Sequence, residues 1–270
     1  LPFVPEKAED RAVWAEESFN IQAHGLARRL WQIGAKSIVL GLSGGLDSTL
    51  ALMAALISCQ LLDRPASDIL AVTMPGFGTS KETSGNAHIL LEESQVSHLN
   101  ISVVPASLQH FQDIGHDPAI HDATYENTQA RERTQILMDL ANKTGGLVIG
   151  TGDLSELALG WCTYNGDQMS MYSLNHSIPK TCIRPLLAHE AELLRKEGKE
   201  RFARVLEDIS QTTVSPALLP PDAKGQISQK TEDILGPYQV HDFFIYRLLV
   251  EGRSIKEAYD LACEVLAGPV

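Results

Sequence analysis

Short apolar runs alternate along the chain with longer stretches in which apolar residues recur at helical spacing. The runs at 37–42, 69–74, 101–104 and 147–150 are partly β-branched, and they predict strands buried on both faces. The stretches at 48–62, 80–96 and 125–143 predict the helices between them. This alternation indicates an α/β fold with a doubly wound parallel sheet flanked by helices, in which ligands bind beyond the carboxyl ends of the strands.

The chain before the first predicted strand and the chain after residue 190 have a helical pattern. Helices are predicted at 10–33, 191–209, 240–250 and 254–266, and Ser254 and Glu257 have the spacing of a capping box. Two stretches rich in turn-forming residues, 76–85 and 215–231, are expected to be mobile. We expect one domain over residues 1–270, with an α/β core at about 35–190 and a helical C-terminal extension at about 191–270.

Composition narrows the class of protein. With 270 residues, 44% of them hydrophobic, the chain can bury a full core. Its net charge of −12, from 34 acidic and 22 basic side chains, argues against a nucleic-acid partner but allows a local pocket for a small anion. No apolar stretch approaches the roughly 20 residues of a membrane helix, and the first ten residues lack the apolar centre of a signal peptide. We therefore expect a cytoplasmic protein that does not bind membranes.

The stretch VLGLSGGLDSTLAL, residues 39–52, places a glycine pair between a predicted strand and a predicted helix. Backbone N–H groups and the positive end of a helix converge there, and glycine lets a ligand approach closely, so the loop is a candidate phosphate cradle. Ser43, Ser48 and Thr49 supply hydroxyl donors. Asp47 would repel phosphate unless a cation lay between them, which indicates Mg²⁺. A plain Gly-Gly turn with Asp47 as a helix cap is the weaker interpretation, and the Gly-Lys-Ser/Thr ending of the common P-loop is absent.

The motif SGGLDS resembles the signature of the ATP-pyrophosphatase group, which has the fold of the adenine nucleotide alpha hydrolases. Four further blocks, at 75–87, 114–142, 147–181 and 234–246, resemble the synthetase domain of glutamine-dependent NAD synthetase. The resemblance covers nearly the whole chain. It implies a ligase in which ATP adenylates the nicotinate carboxylate of deamido-NAD and releases pyrophosphate, after which ammonia displaces AMP to give NAD.

The same resemblance implies a set of site residues. Asp47 and Glu156 would be the magnesium ligands, and Asp47 and Lys180 would be catalytic. The implied ATP-binding residues are Gly41, Leu42, Ser43, Gly44, Gly45, Leu46, Asp47, Ser48 and Thr151. The implied deamido-NAD-binding residues are Asn127, Arg131, Glu156, Trp161, Cys162, Thr163, Asp167 and Lys180. Lys81, in a glycine-rich stretch, is a weaker candidate for a phosphate contact.

On the residues alone, other interpretations stay open. Asp153 and Glu156 have the spacing of a helix capping box. Arg131 and Arg133, which alternate with glutamates, are typical of a solvated charged face. Taken singly, a tryptophan such as Trp161 is more often a core residue, and Lys180 could be a surface lysine.

Two other groups of residues invite a metal or redox interpretation. In GHDPAIHD, His116 and His121 alternate with Asp117 and Asp122, but a proline interrupts the segment and no third ligand is well placed, so we favour capping and turn bonding. The four cysteines have no paired spacing, and we interpret them as reduced thiols. They are Cys59, Cys162, Cys182 and Cys263.

The resemblance also implies partners. The family joins this synthetase to a glutaminase domain and continues into a basic tail, neither of which is recognisable in the sequence, so we expect ammonia as the nitrogen donor. It further implies a homodimer, and the helix at 10–33 carries many apolar residues, among them Ile21 and Trp31, although packing on the sheet would also account for these. A tRNA-thiolating enzyme of the same fold and a non-catalytic nucleotide-binding domain are the alternatives.

Overall fold

Five parallel strands form the sheet at the centre of the protein, in the order β3-β2-β1-β4-β5. The computed structural model describes residues 1–212, 218–219 and 231–266, without the side chains of Lys81, Glu82 and Leu266. The strands are β1 (Ile38–Gly41), β2 (Ile69–Thr73), β3 (Ser97–Asn100), β4 (Leu147–Gly150) and β5 (Tyr172–Ser173). In this sheet β1 lies between β2 and β4, so the crevice at a topological switch point opens beyond the carboxyl ends of β1 and β4.

Helices surround this sheet. In chain order they are α1 (Ala8–Ile33), α2 (Leu46–Leu61), α3 (Lys81–Ser94), α4 (Val104–Ile114), α5 (Ala123–Thr144), α6 (Leu154–Leu159), α7 (Lys180–Lys196), α8 (Glu200–Gln211), α9 (Thr231–Leu235), α10 (Tyr238–Ile245) and α11 (Ile255–Leu266). A 3-10 turn at Ala66–Asp68 precedes β2, and a π-helical turn at Tyr246–Val250 continues α10. None of the described helices is both long and apolar enough to cross a bilayer.

The two faces of the sheet have separate cores. Ile38 and Leu40 of β1 are fully buried in the larger core, which includes residues of α1, α2, α7 and α8. Val39, between them, faces the other side and packs in a smaller core against α5. Because side chains alternate along a strand, this burial on both sides explains why the strand has a continuous apolar run. The doubly wound α/β fold expected from the sequence is confirmed.

Two predicted elements are wrong. The run at 101–104 is not a strand; the third strand is Ser97–Asn100, an exposed edge strand with the polar sequence SHLN, and Val104 instead begins α4 with a proline in its first turn. The predicted helix at 191–209 is two helices, α7 and α8, separated by a turn in which Gly198 has a φ of +79°.

Other boundaries agree more closely. Strand β4 has the predicted bounds, and α1, α2, α3 and α5 begin and end within two or three residues of prediction. The short strand β5 and the helices α4, α6 and α9 were not predicted. The segment at 76–85 leads into α3, whose N-cap Ser80 accepts a hydrogen bond from the Thr83 N–H. Most of the segment at 215–231 lies outside the described residues.

Candidate active site

The loop between β1 and α2 contains the glycine pair of the SGGLDS motif. Gly44 has a φ of +79°, and a Cβ at this position would lie 2.3 Å from the backbone oxygen of Thr83 in α3. Glycine is therefore required here both by the left-handed backbone and by the close approach of α3. The loop is pressed against α3 on one side and faces a cavity on the other.

Serine hydroxyls hold the shape of this loop. The Ser43 N–H donates to Ser48 Oγ at 3.2 Å, and the Gly45 N–H donates to Ser43 Oγ at 3.2 Å. Thr49 Oγ1 donates to the Gly45 backbone oxygen at 2.7 Å, which ties the loop to the first turn of α2. These bonds fix one turn of backbone and hydroxyl groups at the N-terminus of α2, and the positive end of a helix favours anions.

A cavity of about 1050 Å³ opens beyond the carboxyl ends of β1, β2 and β4. All the predicted ATP-binding residues line it except Gly44, which faces α3. Of the predicted deamido-NAD-binding residues, Glu156, Trp161 and Asp167 line it. Trp161 is half-buried at this cavity, so it is not a core residue.

Three carboxylates surround the ammonium group of Lys180. Its Nζ lies 2.8 Å from Asp47 Oδ1, 2.6 Å from Asp153 Oδ2 and 2.8 Å from Glu156 Oε1. The side chain of Lys180 is only 4% exposed, so it is not a surface lysine, and Asp153 is fully buried. This group, which we call the lysine–carboxylate cluster, joins the N-terminal ends of α2, α6 and α7.

The capping-box interpretation of Asp153 and Glu156 is also confirmed. Asp153 caps α6 by accepting the Glu156 N–H at 2.8 Å, and Glu156 Oε2 accepts the Asp153 N–H at 3.3 Å. The other oxygen of Glu156 contacts Lys180. The capping role and the site role are therefore compatible, because the two oxygens of one carboxylate face different partners.

The lysine–carboxylate cluster has more negative than positive charge, since one ammonium faces three carboxylates. Burial, together with the charge of Asp47, raises the pKa of Glu156 to about 8, and burial raises the pKa of Asp153 to about 6. Burial opposes the charged form of Lys180, but the carboxylates outweigh it and hold the lysine pKa well above its ordinary value. The cluster would be stabilised by further positive charge.

The donor set of the cluster fits a magnesium ion. Asp47, Asp153 and Glu156 each offer a carboxylate oxygen within 4.8 Å of the others, and hard oxygen donors are those that Mg²⁺ prefers. Asp47 and Glu156 line the cavity, whereas Asp153 is buried behind them. The two predicted metal ligands are thus the accessible members of the group, and the excess of negative charge is compatible with a divalent cation.

Asn175 connects the two loops of the site and was not predicted from the sequence. Its Nδ2 donates to the backbone oxygen of Asp47 at 2.9 Å and to that of Thr151 at 3.1 Å. Its Oδ1 accepts from Gln22 Nε2 of α1 at 3.1 Å. Asn175 is fully buried. Nothing in its local sequence distinguishes it from a turn asparagine, because its partners lie 128 and 24 residues away.

Several of the predicted deamido-NAD-binding residues form a hydrogen-bonded group between α5 and the segment after α6. Thr163 donates through Oγ1 to Asn127 Oδ1 at 2.8 Å and through its N–H to Asp167 Oδ1 at 2.6 Å. Arg131 Nε donates to the Tyr164 backbone oxygen at 3.1 Å. Cys162 Sγ lies 2.8 Å from Gln168 Oε1 and is exposed. The other predicted deamido-NAD-binding residues do not line the cavity: Asn127, Arg131, Cys162, Thr163 and Lys180.

The interpretation of Arg133 as part of a solvated face is wrong. Arg133 lines the cavity, and its Nε donates to the Met74 backbone oxygen at 3.2 Å, just after β2. Burial lowers the pKa of Arg133 to about 10. Helical spacing puts Arg131 and Arg133 on different faces of α5, which is the signal that separates them. The side chain of Lys81 lies outside the described residues.

The His116–Asp122 segment uses its polar groups for capping and turns, as predicted. Asp122 caps α5 by accepting the N–H groups of Thr124 and Tyr125 at 2.9 and 3.1 Å. His116 Nε2 lies 3.1 Å from the Ile120 backbone oxygen. Within the described part of the chain, the lysine–carboxylate cluster supplies the one group of three residues able to hold a metal.

Comparisons with known proteins agree with this geometry. Residues 19–262 match the family model of NAD synthase. The "Glutamine-dependent NAD(+) synthetase" of Mycobacterium leprae is 40% identical over 93% of this chain and 37% of its own length, and that of Acinetobacter baylyi is 32% identical over 82% of this chain and 38% of its own. The chain thus spans less than two fifths of the length of these relatives.

Solved structures give the same fold. A glutamine-dependent NAD+ synthetase from Acinetobacter baumannii in complex with ADP is 25% identical, with a TM-score of 0.62 over 91% of this chain and 41% of that one. An NMN synthetase from Francisella tularensis, 22% identical, has a TM-score of 0.68 over 89% of this chain and 87% of its own, and supports the fold alone. The family model matches residues 19–262, and the candidate site lies at the end of the sheet. The chain therefore belongs to the NAD synthase family.

Proposed function

We propose that the protein is the synthetase part of a glutamine-dependent NAD synthetase and forms a carbon–nitrogen bond. ATP adenylates the carboxylate of deamido-NAD with release of pyrophosphate, and ammonia then displaces AMP to give NAD. The observation that carries the proposal is the single cavity that joins the phosphate-binding loop to the lysine–carboxylate cluster, in a chain that matches the NAD synthase family.

Each part of the cavity has a task in the first step. A carboxylate is a poor acyl donor and must be activated, so the step must bring two anionic nucleotides together and stabilise the charge that develops on the departing pyrophosphate. In this proposal the loop from Gly41 to Ser48 and Thr151 bind ATP, and Lys180 supplies a positive charge next to Asp47. Asp47 and Glu156 would hold Mg²⁺, which supplies charge neutralisation at the phosphates.

The other substrate would lie against the segment after α6. Trp161 offers an aromatic face to a nucleotide ring, and Asp167 can accept from hydroxyl or amide groups. The bond of Thr163 with Asn127 and the bond of Arg131 with the Tyr164 backbone oxygen hold this segment on α5. We propose that Asn127, Arg131, Cys162 and Thr163 contact deamido-NAD at the rim of the cavity, and that Glu156 and Lys180 approach it from within.

The nitrogen donor and the partners belong to the same proposal. The names of the relatives imply that glutamine is the source of the nitrogen. A separate glutaminase domain would hydrolyse this glutamine to ammonia. We propose a cytoplasmic homodimer without nucleic-acid or membrane partners. Of the apolar residues of α1, Phe19, Leu26 and Leu30 are buried in the core, but Ile21 and Trp31 are 73% and 66% exposed. That exposed pair is available for an interface.

The division into a core at about 35–190 and an extension at about 191–270 stays a prediction.

The test is pyrophosphate release by the purified protein with ATP, Mg²⁺ and ammonium. Deamido-NAD should support release, whereas nicotinate, the GMP precursor and aspartate should not, and NAD should appear in step with AMP. Equal release with another acceptor, or ATP binding with no release, would replace the proposal with another ATP-pyrophosphatase activity or with a non-catalytic nucleotide-binding domain. Binding of tRNA in a gel shift would instead favour the thiolating alternative.

A further inference from the structure

Helix α7, which begins at Lys180, takes its N-terminal caps from two other helices. Its N-cap residue is Pro179, which makes no side-chain capping bond. The Lys180 N–H instead donates to Ser155 Oγ of α6 at 2.9 Å, and the Thr181 N–H donates to Asp242 Oδ2 of α10 at 2.9 Å. The first N–H groups of a helix have no partner within the helix, so these bonds fix where α7 begins.

Ser155 and Asp242 are joined to one another. Ser155 Oγ donates to Asp242 Oδ1, and both residues are fully buried. None of the ion pairs among the described residues includes Asp242. Its partners are a hydroxyl and a backbone N–H at the positive end of α7, a position that favours a carboxylate.

These contacts hold Lys180 at both of its ends. The first turn of α6 binds its backbone N–H through Ser155 and its ammonium through Asp153 and Glu156. Helix α10 contributes twice as well, because Tyr238 and Asp242 are one turn apart on the same face. The ring of Tyr238 lies 5.4 Å from Lys180 Nζ, and Asp242 contacts the backbone beside Lys180.

We propose that Asp242 is a positioning residue for Lys180. Through Ser155 and the Thr181 N–H it sets the start of α7, and it thereby keeps the lysine ammonium among the three carboxylates at the cavity. Asp242 itself does not line the cavity. The consequence for catalysis rests on the proposed function, since it assumes that Lys180 acts on the substrate phosphates. The effect of Asp242 on the position of Lys180 does not depend on the proposed function.

The position of Lys180 is tested without catalysis by acetylation with limiting acetic anhydride, read out by peptide mass spectrometry. In the wild type, Lys180 should react at least tenfold more slowly than exposed Lys199, because it is buried and paired. Asp242→Asn and Ser155→Ala should each increase its labelling at least fivefold. Ser58→Ala, which removes a buried hydroxyl bonded to Ala54 and Ala23 far from the site, is the control and should not change it. Unchanged Lys180 labelling in both folded variants would overturn the proposal.

The effect on catalysis is tested by a double-mutant cycle. Asp242→Asn should lower kcat for pyrophosphate release at least tenfold, with KM for ATP changed less than threefold, because the lysine acts on the developing charge. With Lys180→Gln already present, Asp242→Asn should have little further effect on kcat. Equal losses in the two backgrounds would overturn the proposal; if Asp242→Asn does not fold, Ser155→Ala takes its place in the cycle. A wild type that releases no pyrophosphate would refute the proposed function, whereas the labelling result would still test the positioning role.

Discussion

Lys180 Nζ lies 2.8 Å from Asp47 Oδ1, although 133 residues separate the two along the chain. The contact arises because β1, β4 and β5 are consecutive neighbours in the sheet. The loop that follows β1 therefore lies near α6, which follows β4, and near the start of α7, which follows β5. It puts a buried cation at the N-terminus of α2, next to the loop of the SGGLDS motif. The same lysine neutralises part of the charge of Asp153 and Glu156, so the four residues form one electrostatic unit.

The first prediction concerns the two accessible carboxylates. Asp47→Asn and Glu156→Gln should each lower kcat for pyrophosphate release by roughly two orders of magnitude or more, because charge stabilisation by a metal contributes several kcal/mol at this step. Circular dichroism should show an unchanged fold. Activity within a few-fold of wild type in both variants at limiting Mg²⁺ would contradict the assignment of these residues as magnesium ligands.

The second prediction concerns Asn175. Asn175→Ala removes two bonds that hold the loops of Asp47 and Thr151 together and leaves two backbone oxygens without this donor. We expect a loss of stability of about 1–3 kcal/mol and a larger KM for ATP. Ser210→Ala, which loses a buried hydroxyl bonded within its own helix, is the control for stability and should leave KM unchanged. A KM for ATP that is unchanged in Asn175→Ala would show that the two loops do not depend on this residue.

The candidate site could be proposed from the sequence where its residues lie in one short stretch. Glycines, hydroxyls and Asp47 between a strand and a helix indicate a phosphate loop by themselves. Asp242 and Asn175 were not predictable in this way, because their roles come from partners on other elements and their own sequence surroundings are ordinary. Arg133 was misjudged since alternation with glutamate suggested solvent, whereas its position in α5 faces the cavity.

The secondary-structure elements likewise divide into those that the sequence predicts and those that it does not. Strands β1, β2 and β4 are buried on both faces and have apolar runs that predict them, whereas the edge strand β3 has no such run. Its four residues are exposed, and only pairing with β2 makes them a strand. Pattern therefore predicts the elements whose side chains are buried by the fold, and it fails for those that depend on backbone pairing alone.

A third prediction separates the two reasons for a glycine at position 44, which are the positive φ and the close approach of α3. Gly44→Ala should destabilise the protein because the new Cβ would lie 2.3 Å from the Thr83 oxygen, in addition to the strain of a positive φ. Gly34→Ala is the matched control, since Gly34 has a φ of +61° with nothing near its Cβ position. We expect about 1–2 kcal/mol for the control and about 1–3 kcal/mol more for Gly44→Ala, measured by urea unfolding. Equal losses in the two variants would mean that α3 moves away without cost.

A fourth prediction concerns pH. Burial, reinforced by Glu197, raises the pKa of Glu190 to about 7 from 4.5. The folded state therefore holds a proton that the unfolded state releases between these values, so Glu190 reduces stability progressively as pH rises from about 4.5 to about 7. Glu190→Gln should have little effect at pH 4.5 and should stabilise by up to about 3 kcal/mol at pH 8. Thermal unfolding across this range checks it, with exposed Glu192→Gln as the control. A stabilisation that does not grow with pH would contradict the buried, ionising Glu190.

The last prediction concerns the nitrogen donor. Attack by ammonia on an acyl-adenylate needs a positioned intermediate and an entry path, whereas glutamine hydrolysis needs an activated nucleophile with a base and an orienting group, which the sequence does not suggest. The 270-residue chain should therefore make NAD from ammonium and none from glutamine. Because free NH₃ is the nucleophile, the apparent KM for total ammonium should rise about tenfold for each unit that pH falls below the ammonium pKa, while the KM for deamido-NAD should not follow it. Both are measured by following NAD directly with ATP and Mg²⁺ in excess. NAD synthesis from glutamine by this chain, free of contaminating glutaminase, would show that it contains a second active site.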